Sequence, residues 1–232
     1  MTIDYAKNKN ILLRILKEIY SDVTIAPHLG FKGGTAAYLF YNLNRSSVDL
    51  DFDLLDESKE AIVFERIKNI AFNHGKIIDS RIKRFNLFNV ISYDTKSQNI
   101  KIEINRKDFG SHYKVMTLLG IPMLVMVKED MFAHKLMAMY ERFGKTSRDI
   151  YDVWFFLNND WEINKSIIEQ RSGMPFNNIL KKCTEQLERM DNKNILVGLG
   201  ESLNKSQKDW AREKLRTDTI FLLKARLESE KI

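Results

Sequence analysis

Residues 47–54 read Ser-Val-Asp-Leu-Asp-Phe-Asp-Leu, a strict alternation of polar and apolar side chains. Successive side chains of a β-strand point to opposite faces, so the pattern predicts a strand with one apolar and one acidic face. The apolar face would bury Val48, Leu50, Phe52 and Leu54. The opposite, acidic face would carry Asp49, Asp51 and Asp53.

Asp49 and Asp51 stand at positions i and i+2, so their carboxylates are expected to converge on one small region. Two carboxylates that close repel each other and stay ionised only beside a counter-charge. Hard oxygen ligands suit Mg²⁺ or Mn²⁺, which predicts that both aspartates bind metal. Asp53 shares their face but is expected near the end of the strand, in solvent or in an ion pair.

A third carboxylate comes from a later segment. Residues 85–94 and 99–105 predict two further strands, with a hairpin turn at 95–98. Glu103 alternates with Ile102 and Ile104, and it would complete a three-carboxylate site if its strand lies beside the first. Such a site holds two metal ions about 3.5–4 Å apart and supports phosphoryl or nucleotidyl transfer.

A glycine turn precedes the acidic strand. Gly33, Gly34 and Thr35 open a helix predicted over residues 35–43. Glycines allow close backbone approach to a phosphate, and a helix N-terminus favours negative charge. Such turns are common, and the motif gains weight only because Asp-Leu-Asp follows it.

Two helices predicted in the second half, at residues 128–143 and 147–158, add charged candidates. Lys135 lies in an apolar stripe, which allows two interpretations. Either its stem is buried and its ammonium lies in solvent, or its ammonium reaches a phosphate as a point charge. Asp149 and Asp152 share one helix face. They either complement the helix dipole and form ion pairs, or position the attacking group and orient Lys135.

Basic residues surround the two later strands. They are either solvated surface or a track for RNA. The set comprises Arg81, Lys83, Arg84, Lys101, Arg106 and Lys107.

The organisation of the chain follows from its length and patterning. It has 232 residues, a net charge of +6 and one cysteine, Cys183, which excludes an internal disulfide. A strand-rich first half and a helical second half predict an α+β fold, with a mixed-sheet catalytic core over 1–125 and a helical domain completing the active site over 126–232. The absence of a signal peptide and of long apolar runs predicts a cytoplasmic protein without membrane association.

Four blocks in this order resemble the AbiEii/AbiGii-type nucleotidyltransferases, toxin components of bacterial toxin–antitoxin and abortive-infection systems. The resemblance covers about residues 28–157. The blocks are Lys-Gly-Gly-Thr-Ala at 32–36 with Arg-Ser-Ser-Val-Asp-Leu-Asp-Phe at 45–52, Lys-Ile-Glu-Ile at 101–104, Glu-Asp-Met-Phe-Ala-His-Lys-Leu at 129–136, and Arg-Asp-Ile-Tyr-Asp-Val-Trp at 148–154.

The resemblance implies a DNA polymerase β-like fold, a nucleoside triphosphate (NTP) donor, a magnesium cofactor and an acceptor that is tRNA or another RNA. It also implies growth arrest as the outcome and a separately encoded antitoxin. The implied roles are phosphate binding by the glycine block, metal binding by the strand aspartates and Glu103, triphosphate binding by Lys135, and assistance at the acceptor by Asp149 or Asp152.

Two other functions remain open from the residues. The first is nucleotidyl transfer to a small molecule or a protein hydroxyl, although a cationic drug would favour an acidic pocket and this chain is net basic. The second is a catalytically silent module that only binds nucleotides.

Overall fold

The computed structural model describes residues 5–94 and 99–230. The chain divides into two compact units between Val127 and Lys128. The first unit combines a sheet with helices, and the described part of the second contains helices but no strand. The predicted α+β class with a helical C-terminal part is confirmed. Within the described ranges, no helix has the length and apolarity needed to cross a bilayer.

The first unit is built on a mixed sheet that contains seven strands within the described ranges. They are β1 (Leu29–Lys32), β2 (Leu50–Leu54), β3 (Lys76–Ile82), β4 (Asn86–Ser92), β5 (Ile100–Asn105), β6 (Tyr113–Leu118) and β7 (Ile121–Met126). Their order is β3-β4-β5-β2-β1-β7-β6. β2 runs antiparallel to β1 and parallel to β5, so β5 lies directly beside the acidic strand.

Among the described residues, three α-helices accompany the sheet: α1 (Tyr5–Ser21), α2 (Gly33–Phe40) and α3 (Glu60–His74). α1 contacts α3 and β7, and α3 contacts β3 and β4. The ring of Tyr20 in α1 lies 6.2 Å from that of Phe52 in β2, which places the apolar face of β2 in the core. Leu50 and Phe52 are fully buried, and each such side chain contributes about 1.5–3 kcal/mol.

The second unit consists of α4 (Lys128–Glu141), α5 (Arg148–Asn158), α6 (Lys165–Ser172), α7 (Phe176–Arg189), α8 (Lys205–Trp210) and α9 (Arg216–Ser229), with a π-helical stretch, Ala211–Leu215, joining the last two. Its core includes the stacked rings of Phe156 and Trp161, whose centroids are 4.1 Å apart. An Asn204–Gln207 capping box begins α8. The predicted helices of this half are confirmed.

Several predicted boundaries are wrong. The glycines form the first turn of α2 and do not precede it, and α2 ends at Phe40 because Asn42 adopts a positive φ of 59°. β2 begins at Leu50, so Asp49 immediately precedes the strand. β4 and β5 pair antiparallel as predicted, while the turn predicted at 95–98 lies outside the described residues.

Candidate active site

One row of paired residues crosses the sheet of the first unit. Asp51 pairs with Lys32 of β1 on one side and with Glu103 of β5 on the other. Glu103 pairs in turn with Phe88 of β4, which pairs with Arg81 of β3. Paired residues on neighbouring strands project from the same face about 5 Å apart. This cross-strand row therefore sets Asp51 beside Glu103, on the face opposite the buried core.

Asp49 is held in place through its backbone. The Thr35 hydroxyl lies 2.9 Å from Ser47 Oγ and also within hydrogen-bonding distance of the Asp49 carbonyl oxygen. Thr35 is fully buried, so its hydroxyl faces the protein here and not a phosphate. In this conformation Thr35 anchors the segment that leads into β2, an indirect contribution that the sequence did not predict.

The first turn of α2 lies tightly against the acidic strand. Gly33 has a φ of 80°, and a β-carbon there would come within 2.6 Å of Asp51 Oδ2. A β-carbon on Gly34 would lie 2.8 Å from a guanidinium nitrogen of Arg45, which is itself buried. Gly33 is therefore favoured by its backbone conformation and by the closeness of Asp51, and the N-terminus of α2, a carboxylate and an arginine lie close together.

Lys101 supplies positive charge to this acidic face. Its Nζ lies 3.1 Å from Glu103 Oε2. Desolvation lowers the pKa of Lys101, but the charges of Asp51, Asp49 and Glu103 outweigh it, and the pKa lies above its usual value. Lys101 is thus coupled to all three acids. Its position two residues before Glu103 on the same face was the sequence signal for this role.

Glu103 is also held by its neighbours. Its carboxylate accepts a hydrogen bond from Asn86 as well as from Lys101. Desolvation raises the pKa of Glu103, but these two partners and the charge of Lys83 bring it below its usual value. Glu103 is therefore ionised at neutral pH.

The carboxylates match Mg²⁺ or Mn²⁺ in ligand type, since both ions prefer hard oxygen donors. Within the described ranges, no three His, Cys, Asp or Glu side chains are grouped closely enough to hold a metal ion. Asp49 and Asp51 would provide the first ligands, and Glu103 would have to release its contacts with Lys101 and Asn86 to join them.

Asp53 forms a separate polar cluster on the same face. Oδ1 lies 2.5 Å from Lys32 Nζ and 2.6 Å from Asn105 Nδ2, and Oδ2 accepts a hydrogen bond of 2.5 Å from the Tyr113 hydroxyl. Asp53 is only 7% exposed. Of the two predicted environments, the ion pair is therefore the one observed. No sequence pattern indicated Tyr113, because the chain must first fold to bring β6 towards β2.

The second unit carries its own charged cluster. Lys135 Nζ in α4 lies 3.1 Å from Asp149 Oδ1 and 2.7 Å from Asp152 Oδ2, both in α5. Arg142 adds a contact of 2.7 Å to Asp149 Oδ2. Both aspartates are buried, so these ion pairs are largely shielded from water. Lys135 is therefore not a lysine with its ammonium simply in solvent.

The fold combines a mixed sheet, acids beside a glycine-opened helix, and a helical second unit. Two solved structures share it. A candidate nucleotidyltransferase from H. pylori matches with 20% identity and a TM-score of 0.63, over 100% of this chain and 98% of its own. JHP933 from Helicobacter pylori matches with 19% identity and a TM-score of 0.61, over 98% and 94%.

A match to a family model identifies the family of this chain. Residues 14–218 match the model of the nucleotidyl transferase AbiEii toxin of type IV toxin–antitoxin systems, and the chain belongs to that family. It is accordingly a nucleotidyltransferase of the toxin class, and its membership implies an antitoxin partner. No curated protein gives a significant match.

Proposed function

We propose that this protein transfers a nucleoside monophosphate from an NTP to an RNA acceptor, tRNA in particular, in a reaction that depends on Mg²⁺ or Mn²⁺. The observation that carries the proposal is the register of β2 and β5, which pairs Asp51 with Glu103, two residues after Asp49. Growth arrest, relieved by a separately encoded antitoxin, would be the consequence in the cytoplasm, where NTPs and tRNA are found.

Each part of the acidic face has a proposed role. The N-terminus of α2 binds the triphosphate, since its N–H groups and dipole favour anions and Gly33 permits close approach. Asp49, Asp51 and Glu103 would hold the metal, which would supply charge neutralisation and lower the pKa of the acceptor hydroxyl. The acceptor hydroxyl gives up its proton to solvent as its oxygen bonds to the α-phosphorus, the bond from that phosphorus to the β-phosphate oxygen breaks, and pyrophosphate leaves.

Lys135 is proposed to neutralise the triphosphate. Asp149 and Asp152 lie against its ammonium and are buried, which favours a role in orienting Lys135 over direct assistance at the acceptor. Their short distances fix the position of the ammonium in the second unit. A flexible lysine held in this way loses less conformational entropy when it meets an anion.

The test is an incorporation assay with each of the four α-labelled NTPs, total tRNA and Mg²⁺, in the presence or absence of EDTA. We expect wild-type protein to label tRNA with one or more nucleotides. The Asp49→Ala/Asp51→Ala variant and the EDTA sample should not label it. Asp209→Ala, which changes an exposed aspartate of α8, is the matched control and should retain activity.

Other outcomes distinguish the alternatives. Label on the protein itself, or on an added aminoglycoside, would replace RNA with a protein or small-molecule acceptor. NTP binding without transfer to any acceptor would favour the silent module. Labelling of tRNA that survives EDTA would contradict metal dependence.

A further inference from the structure

A cluster of cations and aromatic rings lies around the β3–β4 turn and the end of β5. Lys83 Nζ is 3.4 Å from the ring centre of Phe88, and Arg81 Cζ is 6.0 Å from it. Lys107 Nζ is 3.9 Å and Arg84 Cζ 4.9 Å from the ring centre of Phe85. We call these six residues the cation–aromatic surface.

The charges of this surface are largely uncompensated. Arg81 pairs with Asp79, but Lys83, Arg84 and Lys107 form no ion pair with any residue of the described ranges. Phe85 is 44% exposed, although a phenylalanine gains free energy when it is buried. Positive charge beside exposed aromatic rings is complementary to an anionic partner with flat apolar groups.

The surface is continuous with the proposed reaction centre. Phe88 belongs to the cross-strand row, next to Glu103 and two strands from Asp51. At the spacing of a sheet, this is about 10 Å. A single-stranded nucleic acid bound on this surface would therefore reach the acidic face with its next nucleotides.

We propose that the cation–aromatic surface binds a single-stranded segment of the nucleic-acid acceptor and leads its end to Asp51. Phosphates would contact Lys83, Arg84 and Lys107, and bases would stack on Phe85 and Phe88 as the cations turn towards the phosphates. Base faces are accessible only in an unpaired strand, which excludes a duplex as the preferred ligand. The assignment of the bound strand as acceptor rests on the proposed function.

The experiment measures fluorescence anisotropy of labelled RNA of about 12 nucleotides, a length within the range of single-strand sites. It contains no NTP or metal, so binding is tested independently of transfer. We expect Phe85→Leu to weaken binding about 5- to 150-fold, the range for loss of one stacked base. The triple variant Lys83→Gln/Arg84→Gln/Lys107→Gln should weaken it and reduce the slope of log affinity against log salt by about 2.

Matched controls are Phe72→Leu, at a phenylalanine that is 70% exposed in α3, and Lys181→Gln/Lys182→Gln/Lys214→Gln, at three exposed lysines. Both should bind like wild type, and circular dichroism should show all variants folded. Unchanged affinity in the Phe85 and triple variants, or tighter binding of a blunt duplex than of the single strand, would overturn the proposal. Binding without any nucleotidyl transfer would instead refute the proposed function and leave this surface intact as a nucleic-acid site.

Discussion

Lys32 Nζ lies 2.5 Å from Asp53 Oδ1, and this ion pair joins β1 to β2, from the cross-strand row to the residue two positions after Asp51. The side chains of Lys32 and Asp53 are 19% and 10% exposed, so water screens the pair only weakly. The contact also restrains Lys32, which immediately precedes α2. Asp53 therefore supports the site through Lys32, although it is not among the proposed metal ligands.

Asp53→Asn should lower the free energy of unfolding by about 1–3 kcal/mol, because Lys32 loses its counter-charge and the Tyr113 hydroxyl loses a charged acceptor. Urea denaturation should show a lower midpoint at an unchanged slope. The control is Asp209→Asn, at an exposed residue, which should change the free energy by less than about 0.5 kcal/mol. Equal effects of the two substitutions would contradict the importance of the Asp53 cluster.

Gly30→Ala should destabilise the first unit by about 1–3 kcal/mol through overpacking. A β-carbon at this position would come within 2.2 Å of Tyr113 Cε1. The effect should depend on the tyrosine ring, so the same substitution in a Tyr113→Ala background should cost less than about 0.5 kcal/mol. A double-mutant cycle by urea denaturation measures this coupling, and additive effects would show that the ring is not the obstacle.

Stability should fall above about pH 10. Desolvation, followed by the charge of Asp53, raises the pKa of Tyr113 above its usual value. A group whose pKa is raised on folding stabilises the protein below its unfolded pKa, and that contribution is lost as pH rises beyond it. Urea denaturation from pH 8 to 11 should show a smaller decline for Tyr113→Phe than for wild type, and parallel declines would be evidence against the shift.

Lys135→Met should destabilise the second unit by about 3 kcal/mol, because it removes the cation between two buried carboxylates. Thermal unfolding should show a lower midpoint, whereas Lys182→Met at an exposed position should not. Any activity loss in a Lys135 variant must accordingly be measured at a temperature where circular dichroism shows it folded. A variant as stable as wild type would indicate that Asp149 and Asp152 do not depend on this lysine.

Cys183 should not react with a thiol reagent such as DTNB until the protein unfolds. It is fully buried in α7, and desolvation raises its pKa to about 12, so the reactive thiolate is scarce at neutral pH. One thiol should become available in guanidinium chloride. Rapid reaction of the native protein would contradict the buried position.

The sequence predicted best those elements whose periodicity is strong. β2 and β5 alternate clearly, so their types were predicted correctly. β3 was missed because Lys-Ile-Ile-Asp-Ser-Arg-Ile does not alternate. β6 and β7 were missed because their hairpin turns at Leu119 and Gly120, both with positive φ, where leucine is not a typical turn residue.

Some residues of the candidate site could be predicted from the sequence, whereas others are revealed only by the fold. The acids at 49, 51 and 103 follow from alternation along single strands, but their proximity depends on the pairing of β2 with β5, which only the fold supplies. Arg45 over Gly34 and Tyr113 beside Asp53 are contacts between distant segments, which a pattern of residue types along the chain does not encode. Lys101 was identified as basic surface, and only its surroundings reveal it as the counter-charge to three acids.

The parallel pairing of β2 with β5 also has a kinetic consequence. Asp51 and Glu103 are 52 positions apart (103 minus 51), with α3, β3 and β4 between them. Pairings of such sequence separation form late, since they require closure of a long loop and prior placement of the intervening elements. A nascent chain on the ribosome would thus hold Asp49 and Asp51 without Glu103, and a fragment cut between α3 and β5 would lack the assembled acidic face. On the proposed function, transfer activity would therefore be absent from any chain whose synthesis has not yet passed β5.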